Sequence, residues 1–364
     1  MRPDRSHHRP PDLDRLTAGL AAVLRPDGSA DRVTVLEREK NLNESTFRTE
    51  IVTCRMGRRR SPLRLFIKYG TSHFNRAFGH RGDVAFEARV YRDVLQPLRM
   101  STPTFYGLYE TGDPGVAWLI IEYVKDGIRT SQCPDPKAMI HAARWIGRFH
   151  AANQRRPQMR RLAFLRRYDE AYYRGWSQRT ERLYAPWRTL FPWVAPMCRE
   201  FRRRIPTLLE APHTVIHGEY FGANILYQNG TSRPLDWQST AVAPGEIDLV
   251  SLTHSFPTPV KERCEREYTK ARWPRGAPDA FDEILAAARL YVDFRWLGDP
   301  KRMTLPIGRG GNWLLKKRQK RFLKDLHDAE NTFAVDSIPV RAAGTANGRR
   351  SGEPIRARPG PRRA

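Results

Sequence analysis

The rhythm of apolar and polar positions changes once along the chain, near residue 125. Between residues 32 and 124 the apolar residues come in short runs, at 33–37, 47–54, 63–69, 104–109 and 116–124. Each run is rich in β-branched or aromatic side chains and is bounded by Gly, Pro or Asn, which predicts five strands. One helix interrupts them over about 83–95, where Val84, Tyr91 and Leu95 recur on one face. Ahead of the first strand, Leu13, Leu16, Leu20 and Val23 keep helical spacing and predict an amphipathic helix. Arg2, Arg5 and Arg9 precede it as they would in a signal peptide, but Asp12 and Asp14 interrupt that pattern and no small-residue cleavage site follows. A cytoplasmic protein is therefore expected.

Beyond residue 124 the period lengthens to that of helices, with segments at 136–154, 168–182, 193–209, 279–296 and 313–329. A strand-rich island at 215–236 breaks the series. The pattern predicts an N-terminal lobe over 1–124 and a helical lobe over 125–334. From residue 335 to 364 the chain turns to Gly, Pro, Ala and Arg with almost no large apolar side chain, which predicts a disordered tail.

Composition narrows the class. Of 364 residues, 40% are hydrophobic, enough for a sizeable core across about two domains or lobes. No stretch approaches the roughly 20 uninterrupted apolar residues that a membrane-spanning helix needs. Cys54, Cys133, Cys198 and Cys264 are far apart and form no CxxC pair, which argues against a zinc ribbon or a disulfide framework. Sixty-four Lys and Arg against 39 acidic residues give a net charge of +25, a field that attracts anions without naming one.

The chemistry concentrates in His217-Gly218-Glu219-Tyr220-Phe221-Gly222-Ala223-Asn224 and in Asp236, twelve residues beyond Asn224. Phosphoryl transfer from a nucleotide needs a positioning carboxylate beside the attacking hydroxyl and oxygen ligands that hold magnesium against the phosphates. Glu219, Asn224 and Asp236 fit these three roles. A hairpin through Gln228-Asn229-Gly230 would set Asn224 and Asp236 at neighbouring strand ends.

These residues resemble the catalytic loop of the aminoglycoside phosphotransferase and choline kinase-like family, whose pattern is His-Gly-Asp, four residues, Asn, then Asp after a hairpin. The likeness covers roughly residues 33–326. It implies an α+β, two-lobed, protein-kinase-like fold with a five-stranded antiparallel N-lobe and a mainly helical C-lobe. It also implies ATP, Mg2+ and a small-molecule hydroxyl acceptor. Glu219 would then be the catalytic base, and Asn224 and Asp236 the magnesium ligands. His217 would support the loop and Asp248 would be a structural acid. Lys68 in the third strand would contact phosphates, with Glu87 on the following helix as its partner. Ser45 and Thr46 would sit in the nucleotide-binding loop, which lacks glycine here, and backbone groups near Glu122 to Val124 would meet adenine. His150, in a helix that resembles the one ahead of the catalytic loop, reads as a packing residue. The aromatic-rich segment 164–201 corresponds to helices that shape the acceptor pocket.

One departure stands out: the family Asp is Glu219 here. An extra methylene displaces the carboxylate by about 1.5 Å, where a misplacement of that order costs about a hundredfold. The alternative is thus a catalytically impaired, nucleotide-binding scaffold with a basic surface that binds nucleic acid. A chain of +25 also sits poorly with a polycationic acceptor and favours a neutral or anionic one.

Overall fold

The computed structural model describes residues 10–25, 32–41, 46–57, 61–113, 115–254, 256–300 and 317–336. Ser45 and the segment 337–364, and so nearly all of the expected tail, lie outside the described residues.

The five expected strands are β1 (Val33–Lys40), β2 (Arg48–Met56), β3 (Leu63–Tyr69), β4 (Phe105–Glu110) and β5 (Ala117–Glu122). They form one antiparallel sheet in the order β1-β2-β3-β5-β4. β1 runs three residues further than its apolar run. Glu37 to Lys40 are polar, but the ladder to β2 holds them, and Arg38 donates to Glu50 at 2.7 Å across it.

The two-residue period of β3 and β5 splits their side chains between two cores. Leu65, Ile67, Trp118 and Ile120 pack with Leu16 and Leu20 of helix α1 (Leu13–Leu24). Phe66, Leu119 and Ile121 face the main core shared with the rest of the molecule. With both faces covered, β5 reads as an unbroken apolar run rather than an alternating one. Between β3 and β4 lies α2 (Val84–Val90), which Asp83 caps by accepting from the Phe86 amide at 2.8 Å, and which continues into a wider turn over Tyr91–Leu95.

The remainder is mostly helical. The expected helices are α3 (Lys137–Asn153), α4 (Glu170–Tyr184), α5 (Val194–Glu210), α8 (Phe281–Leu297) and α9 (Lys317–Asp336). Two more, α6 (Glu246–Thr253) and α7 (Thr258–Arg272), were not expected from periodicity. Every residue of α6 is buried, so it has no polar face to reveal a period. α7 buries only Cys264, Tyr268 and Arg272, a stripe too narrow to stand out from a charged sequence. Short strands complete the fold: β6 (Ile128–Arg129), β7 (Arg166–Arg167), β8 (His213–Ile216), β9 (Ile225–Gln228), β10 (Thr231–Pro234) and β11 (Ala241–Pro244). Tyr168, Tyr173, Trp176 and Tyr184 of the aromatic segment are buried in the main core. Among the described residues no helix is long and apolar enough to cross a membrane.

Candidate active site

The β9/β10 hairpin pairs Gln228 with Thr231 across Asn229 and Gly230, whose φ values are 49° and 77°. Two successive positive φ angles give the tight turn that an Asn-Gly pair favours. The hairpin therefore returns the chain to its start, and the Leu235 amide donates to the Asn224 carbonyl at 2.8 Å. Asp236 follows at φ 65°, ψ 61°. This left-handed conformation is uncommon for a residue with a side chain and is kept only where the surroundings impose it.

Ahead of the hairpin, the loop after β8 is held from beneath by Asp248 on α6. Its fully buried carboxylate accepts from the His217 amide at 2.6 Å, the Gly218 amide at 2.9 Å and His150 Nε2 at 3.1 Å. Since Nε2–H donates to Asp248, the Nδ1 of the neutral His150 is left to accept from the Tyr268 hydroxyl, 3.0 Å away. Burial pushes the His150 imidazole down to about 4, against the pull of Asp248. His217 is likewise buried and its pKa is lowered. Its Nε2 donates to the Leu235 carbonyl at 2.8 Å and its Nδ1 accepts from the Glu219 amide at 3.3 Å, which fixes one neutral tautomer. Gly218, at φ +83°, has no alternative: a Cβ there would lie 2.1 Å from the Ser239 carbonyl oxygen. His150 thus packs, as expected, and also steadies the loop through Asp248.

Lys68 on β3 reaches across to both halves of the molecule. Its ammonium donates to Glu87 Oε2 at 2.6 Å and to Asp236 Oδ1 at 2.8 Å. Glu87 is almost wholly buried, and its second oxygen accepts from the Trp237 amide at 3.1 Å. Burial opposes the charge on Lys68, but Asp236 and Glu87 outweigh it and hold the ammonium above the ordinary lysine range. Burial likewise works against the Asp236 carboxylate, and Lys68 overcomes it and keeps its pKa low.

These groups line a cavity of about 460 Å³ that also touches Phe66, Ile121, Glu122 to Val124, Asn224 and Leu226. The Glu122 carboxylate is not aimed at it, because it accepts from the Thr104 amide and hydroxyl at 3.0 and 2.9 Å. What Glu122 to Val124 offer is their place on the wall. Of the loop between β1 and β2, Asn41 lines the cavity, whereas Thr46 is exposed and is not on its wall. A larger hollow of about 700 Å³ along Glu262, Arg266, Trp273 and Phe281 contains none of these groups. Asn224 donates its amide to the Glu219 carbonyl at 3.0 Å, so its side-chain oxygen is the end left for a ligand. Together with the Asp236 carboxylate it makes a set of hard oxygen donors on one cavity wall, which suits magnesium.

Glu219 is surrounded by cations. Its buried carboxylate accepts from Arg81 at 2.9 Å and from Arg295, and His80 Nε2 lies 3.7 Å away. Neither arginine was singled out in the sequence. Arg81 lies in a loop, where nothing marks its direction. Arg295 did leave a signal, since it interrupts the apolar face of α8 at Val292-Asp293-Phe294-Arg295-Trp296, and a buried cation calls for a partner.

Comparison with known proteins agrees with this geometry. The model of the phosphotransferase enzyme family matches residues 66–291. No curated protein matches the sequence. Among solved structures, the GDP complex of aminoglycoside 2'-phosphotransferase-IIIa is similar at a TM-score of 0.58 and 13% identity, over 89% of this chain and all of that one. A choline kinase from Streptococcus pneumoniae is similar at a TM-score of 0.52 and 13% identity, over 86% of this chain and 98% of that one. An amicoumacin kinase in complex with AMP-PNP, Ca2+ and Ami is similar at a TM-score of 0.54 and 12% identity, over 86% of this chain and 93% of that one. At these identities the shared property is the two-lobed kinase-like fold.

Proposed function

The chain belongs to the phosphotransferase enzyme family, and from that premise we propose that it is a small-molecule kinase moving the γ-phosphoryl group of ATP to an acceptor hydroxyl. The observation that carries this reading is the ion cluster of Lys68, Glu87 and Asp236 on the wall of a cavity that also touches Glu122 to Val124.

In this reading adenine stacks between Phe66, Ile121 and Leu226, against the backbone at Glu122 to Val124. Lys68, fixed by Glu87, binds the α and β phosphates. Asn224 and Asp236 hold magnesium, which when bound neutralises charge on the β and γ phosphates. Glu219 orients the acceptor and takes its proton. The acceptor oxygen then bonds to the γ-phosphorus as the bridging bond to the β-phosphate breaks, and ADP leaves. The GDP and AMP-PNP complexes of the similar structures support a nucleotide in this cavity and leave GTP to be tested beside ATP.

A second reading, a nucleotide-binding scaffold without turnover, is favoured by one observation: Arg81 and Arg295 already occupy the Glu219 carboxylate. One experiment separates the two. Wild type, Glu219→Asp, Glu219→Ala and Asp236→Ala are incubated with ATP or GTP, magnesium and a pooled acceptor library, and products are read by mass spectrometry. A gain of one phosphate that is lost in both alanine variants supports the kinase. Product from Glu219→Asp alone supports the scaffold, and bound nucleotide with no product from any protein also weighs toward it.

A further inference from the structure

A second cavity, of about 450 Å³, shares no lining residue with the nucleotide cavity and yet touches the same centre. Arg81 on its wall donates to Glu219, and Gln238 on its wall donates to Asp236. A molecule seated there lies beside the carboxylate assigned to the acceptor hydroxyl.

The wall is cationic. Arg76, Arg81, Arg166 and Arg167 line it, and its one carboxylate, Asp169, is committed to the N-terminus of α4, where it accepts from the Tyr172 amide at 2.7 Å. Space has been made for Arg166: Gly79 lies at φ +82°, and a Cβ there would come within 2.5 Å of the Arg166 guanidinium.

A second observation points the same way. Arg295, 4% exposed, spends only one of its nitrogens on Glu219, and its Nε and Nη1 are buried with no hydrogen-bond partner among the described residues. Buried N–H groups of a charged side chain are rarely left unmade. Arg179 lies 4.0 Å and Arg295 5.3 Å from the centroid of the same ring, Trp176, so two like charges are crowded about one residue. Arg295 and Arg81 also meet on a single atom, Glu219 Oε1.

We propose that the acceptor carries an anionic group, a carboxylate or a phosphate ester, beside the hydroxyl that is phosphorylated, and that Arg81 and Arg166 on the cavity wall bind it, with Arg295 behind the wall at Glu219. The proposal rests on the kinase reading of the same site. Guanidinium groups pair with either anion in bidentate fashion. On binding, the anion draws Arg81 away from Glu219 and turns that carboxylate toward the hydroxyl.

The test uses the full chain saturated with AMP-PNP and magnesium, titrated calorimetrically with gluconate, glycerol 3-phosphate, myo-inositol and kanamycin. The same compounds are then offered with ATP. An anionic compound should bind at least about tenfold more tightly than myo-inositol or kanamycin, and the two anions tell carboxylate from phosphate ester. Arg166→Gln, at an exposed position and with folding checked by its denaturation midpoint, should raise the KM for that compound about tenfold with kcat changed by less than a factor of about two. Tighter binding or faster phosphorylation of myo-inositol or kanamycin overturns the proposal. So does an unchanged KM in Arg166→Gln, or the absence of heat with both anions. Saturation by AMP-PNP, or by GMP-PNP where AMP-PNP does not bind, is measured first: if neither binds, the kinase reading falls and takes this proposal with it. If either binds and only the preference for anions is missing, the proposal alone falls.

Discussion

The two ends of the site are electrostatic opposites. At one end a single ammonium, Lys68, lies between two carboxylates, Glu87 and Asp236. At the other a single carboxylate, Glu219, lies between two guanidinium groups, Arg81 and Arg295. The first cluster uses residues that a nucleotide-binding cavity needs in any case, and it is complete without a substrate. The second engages its one carboxylate with both arginines, and in our proposal an anionic acceptor loosens that engagement. In the proposed reading the nucleotide end is thus set by the fold, while the acceptor end depends on what enters it.

The largest expected effect tests the complete cluster. Asp236→Ala removes the proposed magnesium ligand and the partner of Lys68, and kcat should fall by roughly a thousandfold, as when one preorganised electrostatic group is lost from other active sites. Steady-state kinetics with any accepted substrate measures it, and a fall of less than tenfold would remove Asp236 from the machinery.

Next comes the opposite cluster. Glu219→Gln leaves the buried Arg295 and the partly buried Arg81 facing a neutral amide, and breaking a buried ion pair from one side costs about 3–5 kcal/mol. Urea denaturation should show that loss, and Arg295→Met introduced together with Glu219→Gln should recover part of it. Equal stability of the single and double variants would mean that the cluster is not energetically coupled.

The pH dependence comes third and bears on the loop that joins the two ends. Above pH 6.5, the ordinary histidine value, His150 is neutral both folded and unfolded, so its contribution to stability is full. As the pH falls the unfolded chain takes up the proton first, because burial holds the folded imidazole at about 4. Stability is therefore lost between pH 6.5 and about 4, by about 3 kcal/mol. Denaturation curves at pH 7 and pH 4.5 should show this in wild type and much less of it in His150→Gln.

The smallest effect is a control for burial. Arg174 and Glu170 pair at 2.6 Å on an exposed face of α4, the same chemistry as Arg81 with Glu219. Arg174→Ala should change stability by less than about 0.5 kcal/mol, and a larger change would show that burial does not set the scale.

Much of the fold was legible because strands and amphipathic helices leave local periods. The five strands of the sheet, α1 and α3 follow from spacing alone. The Asn-Gly turn is equally local, since its residue types demand the φ angles it adopts. α6 and α7 were not legible, one being buried all round and the other polar on most sides, so neither carries the contrast on which a period depends.

The site divides in the same way. Asn224 and Asp236 could be selected from their chemistry and the hairpin between them, and Lys68 and Glu87 through the resemblance to the family, because each lies on a regular element or at a hairpin end, where the direction of a side chain follows from its position. Whether Lys68 meets Glu87 and Asp236 at once, and whether Arg81 and Arg295 converge on Glu219, depends on segments that are far apart in the chain. Glu219 and Arg295 are separated by 76 positions. Local sequence fixes the chemical character and direction of each side chain within its element. Only the packing of the elements brings like and unlike charges to hydrogen-bonding distance, because Coulomb attraction in a dry interior acts through space and carries no trace in neighbouring residues.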